Sequence, residues 1–280
     1  MDKPAGLTSH DVVARVRRAL RTRAVGHTGT LDPFATGLLV VLVGRATRLA
    51  RFVEQQAKTY LATAHLGVAT TTDDATGAPL PGPGVDAPPA LEAVRSAMAA
   101  MVGAGRQRPP AFSAKHQDGE RAYARARRGE LVDLPEVPIV VHALELVRYA
   151  YPELQFRARV SAGTYVRALA RDLGAALGTG GHLTALRREA IGGLRVEQAV
   201  PLDGVLPEAL QPPLAVLGHL PRVEVSDAEV RRLGFGQALA RDGVAAAGPT
   251  CAVAPDGRLV AIGRFGPGGF QPEVVLEPAG

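Results

Sequence analysis

At 280 residues, 46% of them hydrophobic, the chain can bury one sizeable core and a second small one, so a large domain with an appendage is expected. The apolar run Leu38 to Val43 is far too short to span a bilayer, and the Met-Asp-Lys-Pro start carries no apolar stretch of signal-peptide type. The single cysteine, Cys251, excludes an intramolecular disulfide framework and every multi-cysteine metal site, which makes a reducing cytoplasm the simplest home.

The net charge of +5 is delivered almost wholly by arginine, since only Lys3, Lys58 and Lys115 are lysines. The excess is uneven: residues 1–51 carry nine Lys/Arg against Asp2, Asp11 and Asp32, and residues 106–128 carry seven against Asp118 and Glu120. Two basic surfaces made of planar guanidinium forks point to a polyanion partner, although a codon bias that writes Arg for Lys would leave the same composition.

Along the chain, helix and strand signals alternate. A helix is predicted over 10–21, capped by Ser9, with Val12, Val13, Val16, Ala19 and Leu20 on one face and Arg15, Arg18 and Arg21 away from it. Leu38 to Val43 reads as a buried strand, 46–55 as a helix and 60–66 as a strand. The stretch 73–89, rich in Pro, Gly and Asp, reads as a long exposed loop. A helix follows at 90–101, then Arg-Gln-Arg-Pro-Pro at 106–110 and a basic segment of helical spacing at 120–130. Strands at 139–149 and 154–161 are expected to pair, the second alternating as Leu154, Phe156, Ala158, Val160. A helix over 165–177 ends at Gly178, and Leu183, Leu186 and Ile191 of 181–194 are expected to pack on the sheet. Prolines 201, 207, 212, 213 and 221 mark a boundary region, after which short alternating stretches suggest a small β-rich module.

There is no P-loop, His-Glu-x-x-His, Cys-x-x-Cys or Gly-x-Ser-x-Gly elbow. The densest cluster of unusual residues is Gly26-His27-Thr28-Gly29-Thr30-Leu31-Asp32-Pro33-Phe34-Ala35-Thr36-Gly37, directly before the apolar run. Read structurally, Asp32 is an N-cap with proline at the first helical position. Read functionally, the loop displays a carboxylate near basic residues at a strand edge.

That segment, continued by Leu38 and Leu39, resembles the signature loop of the TruB family of tRNA pseudouridine-55 synthases. The resemblance runs in order through Asp2-Lys3-Pro4 with Gly6 and Thr8-Ser9, Lys58-x-Tyr60 with Gly67, Pro109-Pro110 with Ser113-Ala114, Gly163-Thr164-Tyr165-Val166-Arg167, Asp172-Leu173-Gly174 and Leu186-Arg187-Arg188. Residues 222–280, with Glu229 to Leu233 and Gly236 to Leu239, look like the family's small RNA-binding module of PUA type. The resemblance implies an α+β pseudouridine synthase fold with a central mixed, largely antiparallel sheet flanked by helices, a catalytic domain over 1–205 and the β-rich module over 222–280.

It also implies a reaction that isomerises a T-loop uridine of tRNA at position 55. Asp32 is the essential carboxylate, Tyr60 the active-site tyrosine and Arg167 the arginine that pairs with the aspartate. His27, Tyr165, Leu186 and Lys3 are implied to meet the substrate, His27 entering the space vacated by the flipped base. No cofactor or metal is needed, no membrane is involved, and the chain is expected to act as a monomer. The sequence departs from the family pattern at the start, where the usual apolar strand before Asp-Lys-Pro is abbreviated or lies upstream, and at 113–119, where Ser-Ala-Lys-His-Gln-Asp-Gly alters a loop. An alternative on the same scaffold is a non-catalytic tRNA-binding or folding protein; a phosphate-cradling loop at 26–30 lacks the lysine of a P-loop.

Overall fold

In the computed structural model the described residues are 1–82, 85, 87–112, 116–117, 120–121, 134–240 and 248–277, the two short pieces at 116–121 for their backbone alone. The basic 120–130 segment and Ser113-Ala114 therefore lie almost wholly outside the described residues.

Sixteen strands are described: β1 (Asp2–Lys3), β2 (Val25–Thr28), β3 (Thr36–Leu38), β4 (Val40–Val43), β5 (Lys58–Leu66), β6 (Gly103–Gln107), β7 (His116–Gln117), β8 (Glu120–Arg121), β9 (Val137–Ala150), β10 (Glu153–Val160), β11 (Gly181–Ile191), β12 (Leu194–Arg195), β13 (Arg222–Glu224), β14 (Thr250–Val253), β15 (Leu259–Gly266) and β16 (Gly269–Val275). The main sheet has eight strands in the order β1-β3-β11-β5-β10-β9-β6, with β12 folded back on β11. Its pairings are antiparallel except β3 with β11, which is the mixed, largely antiparallel arrangement expected of the fold.

Alternation explains the central strands. In β5 the residues Tyr60, Ala62, Ala64 and Leu66 face inward, and in β10 Leu154, Phe156, Ala158 and Val160 do the same. Helices Ser9–Ala19, Leu91–Ala100 and Val166–Ala176 bring Val12, Val13 and Val16, Val94 and Met98, and Leu169 and Leu173 into the same core.

Three expectations are corrected. The segment 181–194 does not lie on the sheet but supplies β11, a strand between β3 and β5. The run 38–43 divides, because Leu38 ends β3 in the main sheet whereas Val40–Val43 turns away to pair with β2. Asp32 begins a turn closed by the Ala35 N–H on the Asp32 carbonyl (3.1 Å), with no helix after it.

The helix predicted at 46–55 is a 3₁₀ turn, Gly44–Leu49, followed by the α-turn Ala50–Glu54. At the far end β13, β14, β15 and β16 form a four-stranded sheet with the helix Asp227–Gly234, around a core of its own that includes Leu233, Val260 and Phe270. Among the described residues, no helix is long and apolar enough to cross a membrane.

The first helix is capped one residue earlier than expected. The Thr8 hydroxyl accepts the Asp11 N–H at 3.1 Å and Asp11 accepts the Thr8 N–H at 2.9 Å, a reciprocal capping box. Ser9 is thereby released for another use. Its buried hydroxyl accepts the Leu31 N–H at 2.9 Å and donates to the Leu31 carbonyl at 3.2 Å. Two substitutions separate these roles by urea midpoint: Thr8→Ala is expected to cost about 1 kcal/mol as a lost cap. Ser9→Ala is expected to cost about 1–3 kcal/mol, because it strands buried backbone groups.

Candidate active site

The loop that carries Asp32 runs from β2, in the two-stranded sheet with β4, into β3 of the main sheet, and its position is set by one close approach. In the parallel pair of β3 and β11, Gly37 lies opposite Arg188, and a Cβ on Gly37 would sit 2.4 Å from the Arg188 carbonyl oxygen at a φ of +100°. Only glycine meets both conditions. Across the other edge of β11, Arg188 is in register with Tyr60, and Leu186 with Ala62. Tyr60 and Leu186 are thus fixed on the core strands neighbouring the loop, both buried in the main core with Leu31 and Ala35.

Asp32 is pinned on both flanks. Leu31 is held by Ser9, and the Pro33 carbonyl accepts the Gly6 N–H at 2.8 Å and the Lys3 ammonium at 3.3 Å. The carboxylate remains 33% exposed, and its partner is Arg167. Arg167 Nε lies 3.0 Å from Asp32 Oδ2, and Nη2 donates to Oδ1 at 3.2 Å. The Nε contact is ionic rather than an aligned hydrogen bond.

The rest of that guanidinium, only 5% exposed, is spent inside the protein. It donates to Asp74 Oδ2 at 3.2 Å, to the Thr72 carbonyl at 2.9 Å and to the Phe112 carbonyl at 2.9 Å. Asp74 is itself satisfied, because its Oδ1 accepts the Thr72 hydroxyl at 2.7 Å, the Thr76 hydroxyl at 2.5 Å and the Thr76 N–H at 2.9 Å. Asp73 and Asp74 are buried, so the expectation of an exposed loop from residue 73 fails at its first two positions. An acid can be buried when a cation and several donors receive it. Burial raises the Asp32 pKa above the ordinary carboxylate value, Arg167 opposes the rise, and Asp74 adds to it.

Beneath the loop stand three buried cations with carbonyl partners. Arg188 donates to the carbonyls of Leu38 (2.7 Å) and Gly29 (2.9 Å), with its cation 6.0 Å from the Tyr60 ring centre. Lys58 donates to those of Glu54 and Gln56, and burial, helped by the nearby Arg188, pushes its pKa down to about 8. Lys3 is fully buried and donates to the carbonyls of Pro4, Leu7 and Pro33, so its expected place against the substrate is corrected to that of an internal clamp. A buried ammonium with three carbonyl acceptors has no donor left over.

His27 sits on β2 with its ring 6.3 Å from that of His10, and its Nδ1 is buried without a hydrogen-bond partner among the described residues. Burial, then His10 and Arg188, lower its pKa, so the ring is neutral at pH 7. Tyr165 caps the helix Val166–Ala176, and its backbone is bracketed by Gln107, which accepts the Tyr165 N–H at 2.9 Å and donates to its carbonyl at 3.1 Å. Of the expected site residues, direct contact joins Asp32 with Arg167; Tyr60, Leu186 and His27 flank them on neighbouring strands. Asp74, Arg188 and Gln107 complete the site without having been singled out for it. The sequence of Thr70-Thr71-Thr72-Asp73-Asp74 gives no local sign that Thr72 donates to a buried acid, because that acid is buried by an arginine 93 residues away.

Comparison with known proteins agrees with this geometry. TruB family pseudouridylate synthase (N terminal domain) matches residues 17–166, the tRNA pseudouridylate synthase B C-terminal domain matches 167–211, and tRNA Pseudouridine synthase II, C terminal, matches 220–277. tRNA pseudouridine synthase B of Thermobifida fusca (strain YX) is 46% identical over 99% of this chain and 97% of its own. The protein of the same name from Arthrobacter sp. (strain FB24) is 43% identical over 100% of this chain and 96% of its own. Among solved structures, a Cbf5-Nop10-Gar1 complex matches with a TM-score of 0.76 at 26% identity, over 99% of this chain and 84% of that one. An H/ACA RNP bound to a substrate RNA containing 2'-deoxyuridine matches with a TM-score of 0.76 at 25% identity, over the same shares. With an Arg-held aspartate on a glycine-dependent loop and relatives aligned from end to end, the chain belongs to the TruB family of pseudouridylate synthases.

Proposed function

We propose that this chain converts uridine to pseudouridine at position 55 in the T loop of tRNA, with the Asp32 carboxylate as nucleophile. The state of that carboxylate carries the reading. It is one-third exposed and held from one side by a guanidinium whose other faces are already occupied. Such a group is oriented, paired with a cation that favours its ionised form, and open to approach. Attack on the ribose or on the base leads to the same exchange: the bond between ribose C1′ and uracil N1 breaks, the uracil turns, and C1′ rejoins at C5. The C5 proton leaves and N1 gains one, so no oxidant, nucleotide or metal enters the balance.

Tyr60 and Leu186 supply an aromatic and an apolar wall for the uracil. The neutral ring of His27 suits the gap left in the stack, and Tyr165 supports the start of the helix that carries Arg167. An internal uridine must leave its stack to be reached, and a structured loop permits this at low cost. Arg15 and Arg18 are exposed on the helix Ser9–Ala19 and Arg21 in the turn that follows it, and all three suit phosphate contacts. On this reading residues 1–205 form the catalytic domain and 222–280 an RNA-binding module, in a monomeric cytoplasmic enzyme.

The decisive experiment incubates the purified protein with unmodified tRNA transcript and maps pseudouridine by carbodiimide-dependent primer-extension stops. A stop at position 55 that disappears in Asp32→Asn is expected. A stop at another uridine would overturn the substrate, and none at all from a folded, tRNA-binding protein would overturn the activity.

Two further outcomes follow from charge. Because burial raises the Asp32 pKa, its ionised form is lost as pH falls through a value above the usual carboxylate range. The single-turnover rate should therefore decline on the acid side above about pH 4. Arg167→Ala, which removes the opposing cation, should move that limb to higher pH. Each of Arg15→Ala and Arg18→Ala should flatten the slope of log affinity for tRNA against log salt by about one or less, as measured by filter binding from low to moderate salt.

A further inference from the structure

Arg167 is not the only arginine of its helix that reaches the Thr72 to Asp74 turn. One turn further on, Arg171 lies on the same side of Val166–Ala176 and grips the same two segments. Its Nη1 donates to Asp73 Oδ2 at 2.8 Å and its Nη2 to the Arg108 carbonyl at 2.9 Å, while Nε is held by Asp172 at 2.9 Å. Arg167 meanwhile takes the Thr72 carbonyl and Asp74 from the first segment and the Phe112 carbonyl from the second. Two arginines spaced i, i+4 thus rivet two loops, 72–74 and 108–112, the first of which is also tied to β11, where the Leu183 N–H donates to the Asp73 carbonyl at 3.0 Å. Gln107 adds a third rivet by bracketing the backbone of Tyr165.

We infer that Arg171 and Asp73 form a positioning pair for the proposed reaction: they seat the turn bearing Asp74 and the 108–112 segment so that Arg167 is held square to Asp32. Neither residue touches Asp32. Asp73 fixes the backbone from which the next side chain, Asp74, reaches Arg167, and the Arg108 carbonyl fixes the approach of Phe112. A guanidinium serves here because one planar fork can meet a carboxylate and a carbonyl from different segments together, which a single ammonium cannot do with the same geometry. The inference rests on the proposed function for its catalytic consequence, while the riveting itself does not.

The test compares Arg171→Ala, Arg171→Lys and the near-isosteric Asp73→Asn with the unaltered protein in single-turnover pseudouridine formation on tRNA. Expected is a fall of about tenfold or more in the rate constant for Arg171→Ala and Asp73→Asn, with full amplitude and tRNA affinity within about threefold. Arg171→Lys should recover part of the rate. The double variant should be no slower than the slower single one, since both remove one contact. Loss of amplitude with an unchanged rate constant would mean that the pair merely supports folding, and would overturn the inference. Hydrogen exchange gives a second readout independent of activity: amides at 75–77, which close the turn on Leu183 and Asp74, should exchange faster in both variants. Unchanged exchange there overturns the riveting. If the unaltered protein forms no pseudouridine, the proposed function falls, and exchange alone decides whether Arg171 seats the turn.

Discussion

Everything at the site depends on a single buried guanidinium. Arg167 draws together Asp32 from the loop between β2 and β3, Thr72 and Asp74 from the turn after β5, and Phe112 from the segment after β6, three stretches far apart in sequence. A buried charge of this kind is costly to desolvate and is tolerated only where its donors are met. Four of its acceptors are internal to that set, and two of them are carboxylates, so the local cluster carries one more negative charge than positive. The surplus falls on Asp32, the more exposed acid, whose pKa burial and Asp74 both raise. The network therefore leaves one carboxylate open: Asp74 is enclosed and saturated by threonine donors, and Asp32 is the one left facing out.

The underside of the loop obeys a different rule. Lys3, Lys58 and Arg188 are buried cations whose hydrogen bonds go to main-chain carbonyls. Arg188 and Lys3 satisfy the Gly29 and Pro33 carbonyls of a glycine-rich loop too irregular for a ladder, and Lys58 those at the end of the Ala50–Glu54 helix. The same arrangement surrounds the base of the loop with positive charge, which favours the approach of an anionic backbone. Gly29 shows how tightly this layer is packed: a Cβ there would lie 3.4 Å from the Lys58 side chain and 3.5 Å from that of Arg188, at a φ of +77°.

What could be read from the sequence was what is local. Alternation marked β5 and β10, whose inward faces are as expected, and the pairing of β9 with β10 follows from a tight connection. The motif containing Asp32, and the arginine set to meet it, were legible through resemblance. The misreadings share a cause. Residues 181–191 form a continuous, mostly buried strand whose Arg187 and Arg188 break the apolar pattern. They are accommodated because Arg187 meets Asp2 and Arg188 meets the loop carbonyls, partners more than 100 residues distant. Asp73 and Asp74 looked like loop residues for the same reason. A charged residue is assigned to the surface unless its partner is known, and partners of long sequence separation are invisible to any local pattern. Thr8 and Ser9 differ more subtly: both are good caps, and tertiary demand from Leu31 decided which one served.

The proline-rich boundary at 201–221 suggests two bodies joined by a flexible strap, but the packing argues for a fixed joint. Leu38, Leu42, Leu49 and Val53 from the first part share one buried cluster with Cys251, Leu259, Ile262 and Leu276 from the second, and Leu217 of the intervening segment is fully buried among them. Arg45 and Arg48 donate to the carbonyls of Leu276 and Val275, and Arg51 pairs with Glu273. A shared apolar core cannot be opened without exposing it to water, so the joint resists bending. The prolines then have another reading. They open the short 3₁₀ turns in which the chain crosses this surface and hold the extended backbone ahead of them, which stiffens the crossing. A rigid joint of this kind fixes the second sheet in place relative to the loop that carries Asp32. The 3₁₀ turn Gly44–Leu49 that carries Arg45 and Arg48 follows directly on β4, the strand that pairs with β2 at the start of the Asp32 loop. The strand pair from which the Asp32 loop springs thus runs straight into the turn that clasps the second sheet.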